Sequence, residues 1–556
     1  MQIPELKELH RMCVTSSAEQ LRALLNSQLE LFGEVRCREI AAALLVEWSK
    51  PVHALPTSLT GYMRLVNDGF AFFLGRISVD RLFDAVFDQA KMAIDSAPSE
   101  RLMRLALHFP TLHKLGQIVA RRQDLEPIAK SWLVGLEHGR FTADLAAVTS
   151  SIEKGLELLA GKPQVSLAQS ILAEASVAAV VPFTWNPDDA PEFSGVFKVL
   201  KPGIKKILDE ELRIIGEAAD YFESCRQLYG LQGLKIASLF NEVRDDLLRE
   251  IDLTAEQANL RQAARQFEAV NWVRVPRLTP LCSPNITGME RITAECIGNL
   301  RLPQLQLEEL ARKTFAALIC IPLFAIEDDV LFHGDPHAGN IFVEMLGGRE
   351  PGLVLLDWTL AGRLPRSTRG RIVDLMRGVI LGDARLISRA VSALTAGTVA
   401  PSSADMLFGL LSGILPTLDQ QHDPLSRAFR LLEQLALNGV LFPGELILFR
   451  KAFFTLEGVL NHLVPGFSPG RAMEQYLRTL LKREMSRRVA ALMFGRPDQS
   501  FDYPSLLSSQ AVSQLTLYRL LNDWQNLADK ASALVTAQYQ LSLTWWEAMW
   551  GLGRKK

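Results

Sequence analysis

Residues 341–345, Ile-Phe-Val-Glu-Met, and 353–356, Leu-Val-Leu-Leu, are two short apolar runs joined by Gly347-Gly348-Arg349-Glu350-Pro351-Gly352. Such a pattern reads as a β-hairpin, and antiparallel pairing brings the residue that enters and the residue that leaves to the same open end. Asn340 enters the first strand and Asp357 leaves the second. Just upstream stands Asp335, inside the run His333-Gly334-Asp335-Pro336-His337-Ala338-Gly339-Asn340. Three oxygen-bearing side chains are therefore expected to converge at one end of the hairpin.

The chain around the hairpin reads mainly as helix. Up to about residue 160, apolar residues recur at three- and four-residue intervals, as in Leu21, Leu24, Leu25 and Leu29. Prolines 51, 98 and 110 interrupt this region, since proline lacks the amide donor a helix interior needs. The texture changes after Gly161-Lys162-Pro163: residues 177–185 and 195–200 read as strands, separated by a turn-rich stretch at 186–191. Helical spacing returns over about 205–267, and another strand is expected near 285–290. After residue 308 nearly everything but the hairpin reads as helix. The expected class is α+β, a small antiparallel sheet followed by a helical part.

The bulk properties narrow the function. The 556 residues carry a net charge of −2, so there is no global positive field to hold a polyanion, and nucleic acid is excluded as the main partner. The six cysteines form no Cys-x-x-Cys pair and no zinc-type cluster, which predicts reduced thiols in a cytoplasmic protein. The first ten residues mix acids and bases, unlike a secretory signal. The most apolar stretch, 316–326, is about half the roughly 20 residues a membrane-spanning helix requires, so it reads as a buried helix.

Phosphoryl transfer asks a protein for hard oxygen ligands to a divalent metal and a carboxylate near the attacking group. Asp335, Asn340 and Asp357 supply that set. The protein-kinase signature places a metal-binding Asn five residues after the catalytic-loop Asp, with a second Asp on a later strand. Here 340 − 335 = 5, and Asp357 follows. A zinc site at His333 and His337 is the competing reading; Pro336 breaks the helical spacing that such histidine pairs use.

Four stretches, in order, resemble the UbiB family of atypical kinases: Lys114-Leu115-Gly116-Gln117, Val196-Phe197-Lys198-Val199-Leu200-Lys201-Pro202-Gly203, His333 to Asn340, and Leu355-Leu356-Asp357-Trp358. The resemblance spans roughly residues 109–469. It implies a protein-kinase-like two-lobed fold with large helical extensions at both ends. Residues 1–100 would be a helical region of unknown role, 101–165 an extension carrying Lys-x-Gly-Gln, 166–295 the N-lobe, 296–470 the C-lobe, and 471–556 a C-terminal helical region. The implied cofactors are ATP and Mg2+, with ADP as the other nucleotide bound.

By the same resemblance Lys198 holds the nucleotide phosphates and pairs with a helix glutamate. Glu256 is the choice for that glutamate, although Asp252, four residues earlier, shares its helix face. Asp335 would orient or deprotonate the acceptor, and Asn340 and Asp357 would hold metal. Ala175, Ser176 and Val177 fall in the alanine-rich loop that replaces a glycine-rich one, and Met289 and Glu290 would form the adenine-side hinge. Lys114 and Gln117 should approach Glu250 and Asp252, folding the extension over the active site.

Three residues depart from the family pattern: Glu174 interrupts the alanine run, Ala179 stands where glutamine is usual, and Thr359 replaces a glycine. They keep two other readings open, a small-molecule phosphotransferase of the aminoglycoside or choline kinase type and a catalytically weak pseudokinase scaffold. The acceptor is expected to be a small molecule or lipid, with isoprenoid quinone metabolism the pathway the resemblance suggests. Trp545, Trp546 and Trp550 ahead of a basic end suggest peripheral membrane contact, against the plainer reading of a docked final helix.

Overall fold

The structure is a computed structural model that describes residues 6–54, 63–120, 144–161, 163–186, 191–229, 236–325, 327–347, 350–395, 404–418 and 424–493. The chain divides into two compact units, residues 1–294 with 354–360 and residues 295–353 with 361–556. The C-terminal tryptophans lie outside the described residues.

The first unit begins with helices α1 (Leu6–Thr15), α2 (Ala18–Phe32), α3 (Glu34–Ser49), α4 (Met63–Leu74), α5 (Val79–Lys91), α6 (Pro98–His108) and α7 (Pro110–Ala120). Their starts follow local chemistry. A capping box between Ser17 and Gln20 opens α2, and Pro98 occupies the first turn of α6, where its missing amide costs nothing. Then come α8 (Leu145–Glu157), α9 (Ile204–Ser224), α10 (Ile236–Glu250) and α11 (Leu253–Gln266). Leu45, Leu74, Leu82, Leu105 and Phe109 share one apolar core with Val177, Leu200, Leu208, Val243 and Leu253. The N-terminal helices thus pack directly on the elements that surround Lys198.

Polar anchors stitch the same region. Arg81 on α5 pairs with Glu210 at 2.8 Å and with the fully buried Glu211, both on α9. Glu211 Oε2 also accepts from the backbone amide (2.9 Å) and hydroxyl (2.6 Å) of Thr111. On α5, Asp88 accepts two bonds from Arg104, at 2.6 and 2.7 Å, and lies 3.0 Å from His108 Nε2. Burial pushes the Asp88 carboxyl up, but His108 and Arg104 outweigh it and hold it well below the usual 3.8. A carboxyl depressed in the folded state adds stability above its unfolded pKa and loses it as pH falls. Asp88→Asn is therefore expected to cost about 2 kcal/mol at neutral pH, a deficit that shrinks below about pH 4. Denaturant unfolding across pH measures this; a pH-independent difference would show that the charge is not what matters.

A six-stranded antiparallel sheet follows: β1 (Val165–Leu167), β2 (Ala173–Glu174), β3 (Ala178–Trp185), β4 (Phe193–Leu200), then, after the short β5 (Val273–Arg274), β6 (Leu278–Ser283) and β7 (Ile286–Glu290). The strand order is β1-β3-β4-β7-β6, with β2 also on β3. β3 and β4 pair from Ala178↔Leu200 to Trp185↔Phe193. Phe183 and Phe197 stack with centroids 4.1 Å apart, and Gly195 leaves room for them: a Cβ there would fall 2.5 Å from the Phe183 ring. Val148 and Ile152 of α8 cover this face. The strands expected at 177–185, 195–200 and 285–290 are present; β6 was not expected.

The second unit holds β8 (Glu295–Cys296), α12 (Gln304–Phe315), a π-helical turn (Ala316–Cys320), α13 (Ile321–Phe324), β9 (Asp329–His333), β10 (Ile341–Leu346), β11 (Glu350–Leu355) and β12 (Ala361–Pro365). Helices α14 (Arg366–Leu381), α15 (Ala384–Leu394), α16 (Ala404–Ile414), α17 (Pro424–Leu437), α18 (Gly444–Leu463) and α19 (Pro469–Met493) complete it. β10 lies between β8 and β11, and β9 pairs with β12 from Ala361↔His333 to Pro365↔Asp329. The reading of nearly everything after 308 as helix, with one hairpin as the exception, is corrected by β9 and β12. Val330-Leu331-Phe332 is fully buried, and a short continuous apolar run has no alternation to separate strand from helix. Phe332 packs on Phe449 at 5.0 Å and Phe429 on Phe453 at 4.7 Å, which places aromatic core directly behind β9.

All six cysteines are free thiols. Among the described residues no helix is long and apolar enough to cross a membrane.

Candidate functional site

β4 places Lys198 opposite Val180 on one side and Thr287 on the other. Its ammonium reaches Glu256 Oε1 at 2.6 Å, Thr359 Oγ1 at 2.9 Å and Asp357 Oδ1 at 3.2 Å. Glu256 is 2% exposed and sits in the first turn of α11. Asp252 does something different: it is the N-cap of α11 and its carboxylate accepts from the Ala255 amide at 3.0 Å. A capping side chain is turned back on its own helix, so the choice between the two acids falls to Glu256. Burial works against the Lys198 charge, but Asp357 and Glu256 outweigh it and hold the ammonium well above the ordinary lysine value. Burial in turn pushes Glu256 up against the pull of Lys198.

Asp357 has φ 51°, the left-handed region that a non-glycine residue enters at a cost of about 1–3 kcal/mol. Its neighbour explains how it is held there. Trp358 is buried, donates from Nε1 to the Leu355 carbonyl at 3.2 Å, and accepts on its own carbonyl from Asn259 Nδ2 at 3.0 Å. With Trp358 anchored from both sides, the carboxylate before it is turned toward Lys198. The Thr359 amide (3.3 Å) and hydroxyl (2.6 Å) then both donate to Asp357 Oδ1.

Ala175, Ser176 and Val177 form the tight turn between β2 and β3, closed by the Ala175 amide donating to the Ala178 carbonyl at 2.8 Å. Ser176 Oγ donates to Glu250 Oε2 at 2.7 Å, and Glu250 Oε1 accepts from Lys114 Nζ at 2.5 Å. Lys114, 6% exposed, has Asp246 as its other acid at 3.8 Å. The expected approach of Lys114 to Glu250 is there, but Asp246 takes the place expected for Asp252, because capping occupies Asp252. Gln117 lies on α7, and its side chain is outside the described residues. Glu174, which interrupts the alanine run, pairs with Lys201 at 2.6 Å. Met289 and Glu290 end β7, and Glu290 is taken up by Arg274 at 2.5 Å.

In the second unit the run from His333 to Asn340 is wired to itself. Asp335 N donates to His333 Nδ1 at 3.2 Å, Asn340 Nδ2 donates to the Asp335 carbonyl at 3.0 Å, and Gly339 N donates to His337 Nδ1 at 3.1 Å. Cys296 Sγ ties the Ala338 carbonyl to β8 at 3.1 Å. Both histidines use Nδ1 to brace the turn, which accounts for them without zinc. Spacing did not reveal Asp246, Asn259 or the Thr359 hydroxyl. Asn259 was the most accessible of these, lying three residues after Glu256 on the same helix face.

Residues 147–391 match the model of the ABC1 atypical kinase-like domain. The chain carries an ABC1 atypical kinase-like domain and is similar to curated UbiB and ABC1 proteins. Curated relatives agree. A "Probable protein kinase UbiB" from Xanthomonas oryzae is 25% identical over 450 residues, 77% of this chain and 78% of its own. Another from Haemophilus ducreyi is 24% identical over 413 residues, 69% and 72% of the two chains. A chloroplastic protein of Arabidopsis thaliana named Activity of BC1 complex kinase 7 is 26% identical over 400 residues, 68% of this chain. The chain spans 54% of that plant relative's length and 60% of that of an uncharacterised Synechocystis protein. A solved Mycobacterium tuberculosis protein in complex with erythromycin matches 57% of this chain and 82% of its own, at 18% identity and a TM-score of 0.34, too loose to bear on function.

The UbiB family has a kinase-like fold, and kinase-like domains in general bind ATP with Mg2+. The donor chemistry of this chain fits such a group. Among the described residues no cluster of three or more His, Cys, Asp or Glu could hold a metal unaided. Mg2+ usually takes one or two carboxylates and completes its shell with phosphate oxygens and water, and the half-exposed Asp357 carboxylate is a hard oxygen donor of that kind.

Proposed function

We propose that this protein binds Mg-ATP and works as a UbiB-type phosphotransferase or ATPase on a small-molecule or lipid pathway, with isoprenoid quinone metabolism as the pathway the family suggests. One observation carries the reading: a lysine held charged in a buried site, braced by Glu256 and facing Asp357. The charge of Lys198 suits it to hold nucleotide phosphates, while Glu256 fixes its direction. Mg2+ supplies charge neutralisation between β- and γ-phosphate oxygens when bound. Asp357 and Asn340 are the residues proposed to hold it, and Asp335 the one to orient or deprotonate the acceptor. Ser176 and its turn are proposed to border the phosphates, and Met289 and Glu290 the adenine. The contact of Lys114 with Glu250, which also holds Ser176, supports the view that the helical extension restrains this loop.

Asp357→Asn keeps the shape and removes the charge that a metal requires. The expected result is a loss of Mg2+-dependent nucleotide affinity of about 100-fold or more, read by calorimetric titration. Unchanged affinity would refute the assignment. Turnover is read separately, by phosphate release with isoprenoid lipids present. Background-level release with intact binding would favour the pseudokinase scaffold.

A further inference from the structure

Leu253, Leu260 and Ala263 lie on the buried stripe of α11, and Gln257 falls within that stripe, itself buried. A polar side chain in such a place is costly unless it is hydrogen-bonded. Gln257 Nε2 donates to the Ser283 carbonyl at 3.0 Å, to the Ile286 carbonyl at 3.2 Å and to Thr287 Oγ1 at 3.1 Å. Its two hydrogens are shared among these three acceptors. Ser283 and Ile286 are paired where β6 turns into β7, so the amide ties α11 to that turn and to the start of β7. Thr287, fully buried, stands directly across from Lys198 in the pairing of β4 with β7. The residue before Gln257 is Glu256, which receives the Lys198 ammonium at 2.6 Å. The four residues close a frame: Glu256 to Lys198, Lys198 beside Thr287, Thr287 to Gln257, and Gln257 back to Glu256 along the helix. Drawing α11 away from β7 would carry Glu256 off the lysine and leave two carbonyls without their donor in the core.

We propose that Gln257 is a positioning residue for the Lys198–Glu256 pair, fixing α11 against β7 so that the lysine is aimed before a nucleotide arrives. An apolar residue of the same size would fill the stripe equally well, but it would leave the helix free to slide on the sheet, because apolar packing is not directional. Three directed bonds beside the strand position of Lys198 remove that freedom. The inference rests on the Mg-nucleotide reading and adds to it the element that keeps the phosphate-binding lysine in place.

The test is a double-mutant cycle in the full chain, read as the dissociation constant of a non-hydrolysable ATP analogue with Mg2+ by calorimetry. Its members are wild type, Gln257→Leu, Glu256→Ala and the double variant, all measured below their thermal midpoints. Glu256→Ala leaves Lys198 with Thr359 and Asp357 beside it, so weakened binding stays measurable. Gln257→Leu is expected to weaken binding by about tenfold when Glu256 is present and to change it by no more than about twofold when Glu256 is absent. A merely structural role would give the same factor in both backgrounds and overturns the inference, as does a Gln257→Leu or Glu256→Ala protein that binds like wild type. Should Gln257→Leu fail to fold, Thr287→Val takes its place in the cycle: it keeps both carbonyl bonds and removes the one nearest Lys198, with a loss of about threefold expected only when Glu256 is present. Wild type without any divalent-dependent binding overturns the nucleotide reading and this inference with it.

Discussion

Lys198→Met is expected to lose both nucleotide binding and fold stability, and adding Glu256→Leu is expected to restore the second without the first. The two losses have different origins. Glu256 has a side chain 1% exposed, and its neutralising partner is 2.6 Å away. Removing one member of a buried pair strands the other's charge and typically costs about 3–5 kcal/mol, whereas replacing both by apolar groups of similar volume is often neutral or better. Asp357, roughly half-exposed, keeps access to water when the lysine is gone. The single variant should thus be strongly destabilised and the double variant should unfold near wild type. Neither has a cation for the phosphates, so both are expected to lose about 100-fold or more in Mg-nucleotide affinity. Denaturant unfolding and calorimetric titration give the two readouts. A double variant no more stable than the single one would show that the stranded glutamate is not the cause. Wild-type affinity in either would remove Lys198 from the proposed site.

Glu211→Ala is expected to be comparably damaging to stability without touching the proposed chemistry. This carboxylate is fully buried on α9 and is the shared acceptor for Arg81 and for both donors of Thr111. Truncation leaves the Thr111 amide and hydroxyl buried without their acceptor and leaves Arg81 with Glu210 and the His108 carbonyl. A loss of about 3–5 kcal/mol follows, while Glu211→Gln, which can still accept from Thr111, should lose about half as much. Unfolding by denaturant measures both. Equal losses in the two variants would mean that the charge dominates; a loss under about 1 kcal/mol in alanine would mean that α5 and α7 do not depend on this anchor.

The parts of the candidate site that were legible in the sequence are those with short-range signals. The spacing from Asp335 to Asn340 lies within one turn, and the turn residues at 347–352 announce the hairpin. Strand β4 is readable because its apolar run is bounded by a turn-rich stretch and by Pro202-Gly203. Strands β6, β9 and β12 were missed because each is brief and either fully buried or interrupted by proline, so alternation had no length over which to show. Glu256 and Asp252 looked equivalent on a helix face; what separates them is where α11 begins, since the residue at the cap spends its carboxylate on the backbone.

By itself, then, the sequence determined the class of the fold and which residue types could carry phosphate chemistry, both encoded in local spacing and order, and its motifs carried the resemblance to the UbiB family. Only the tertiary structure decided who meets whom. Lys114 and Glu250 are 136 residues apart, and Lys198 and Thr359 are 161. Contacts at such separations follow from how helices and strands pack on a common core, an energy shared among many apolar residues that no local pattern records. Thr359 shows the difference most plainly: in the sequence it is a departure from a glycine, and in the fold it is a hydroxyl set beside the Lys198 ammonium and the Asp357 carboxylate.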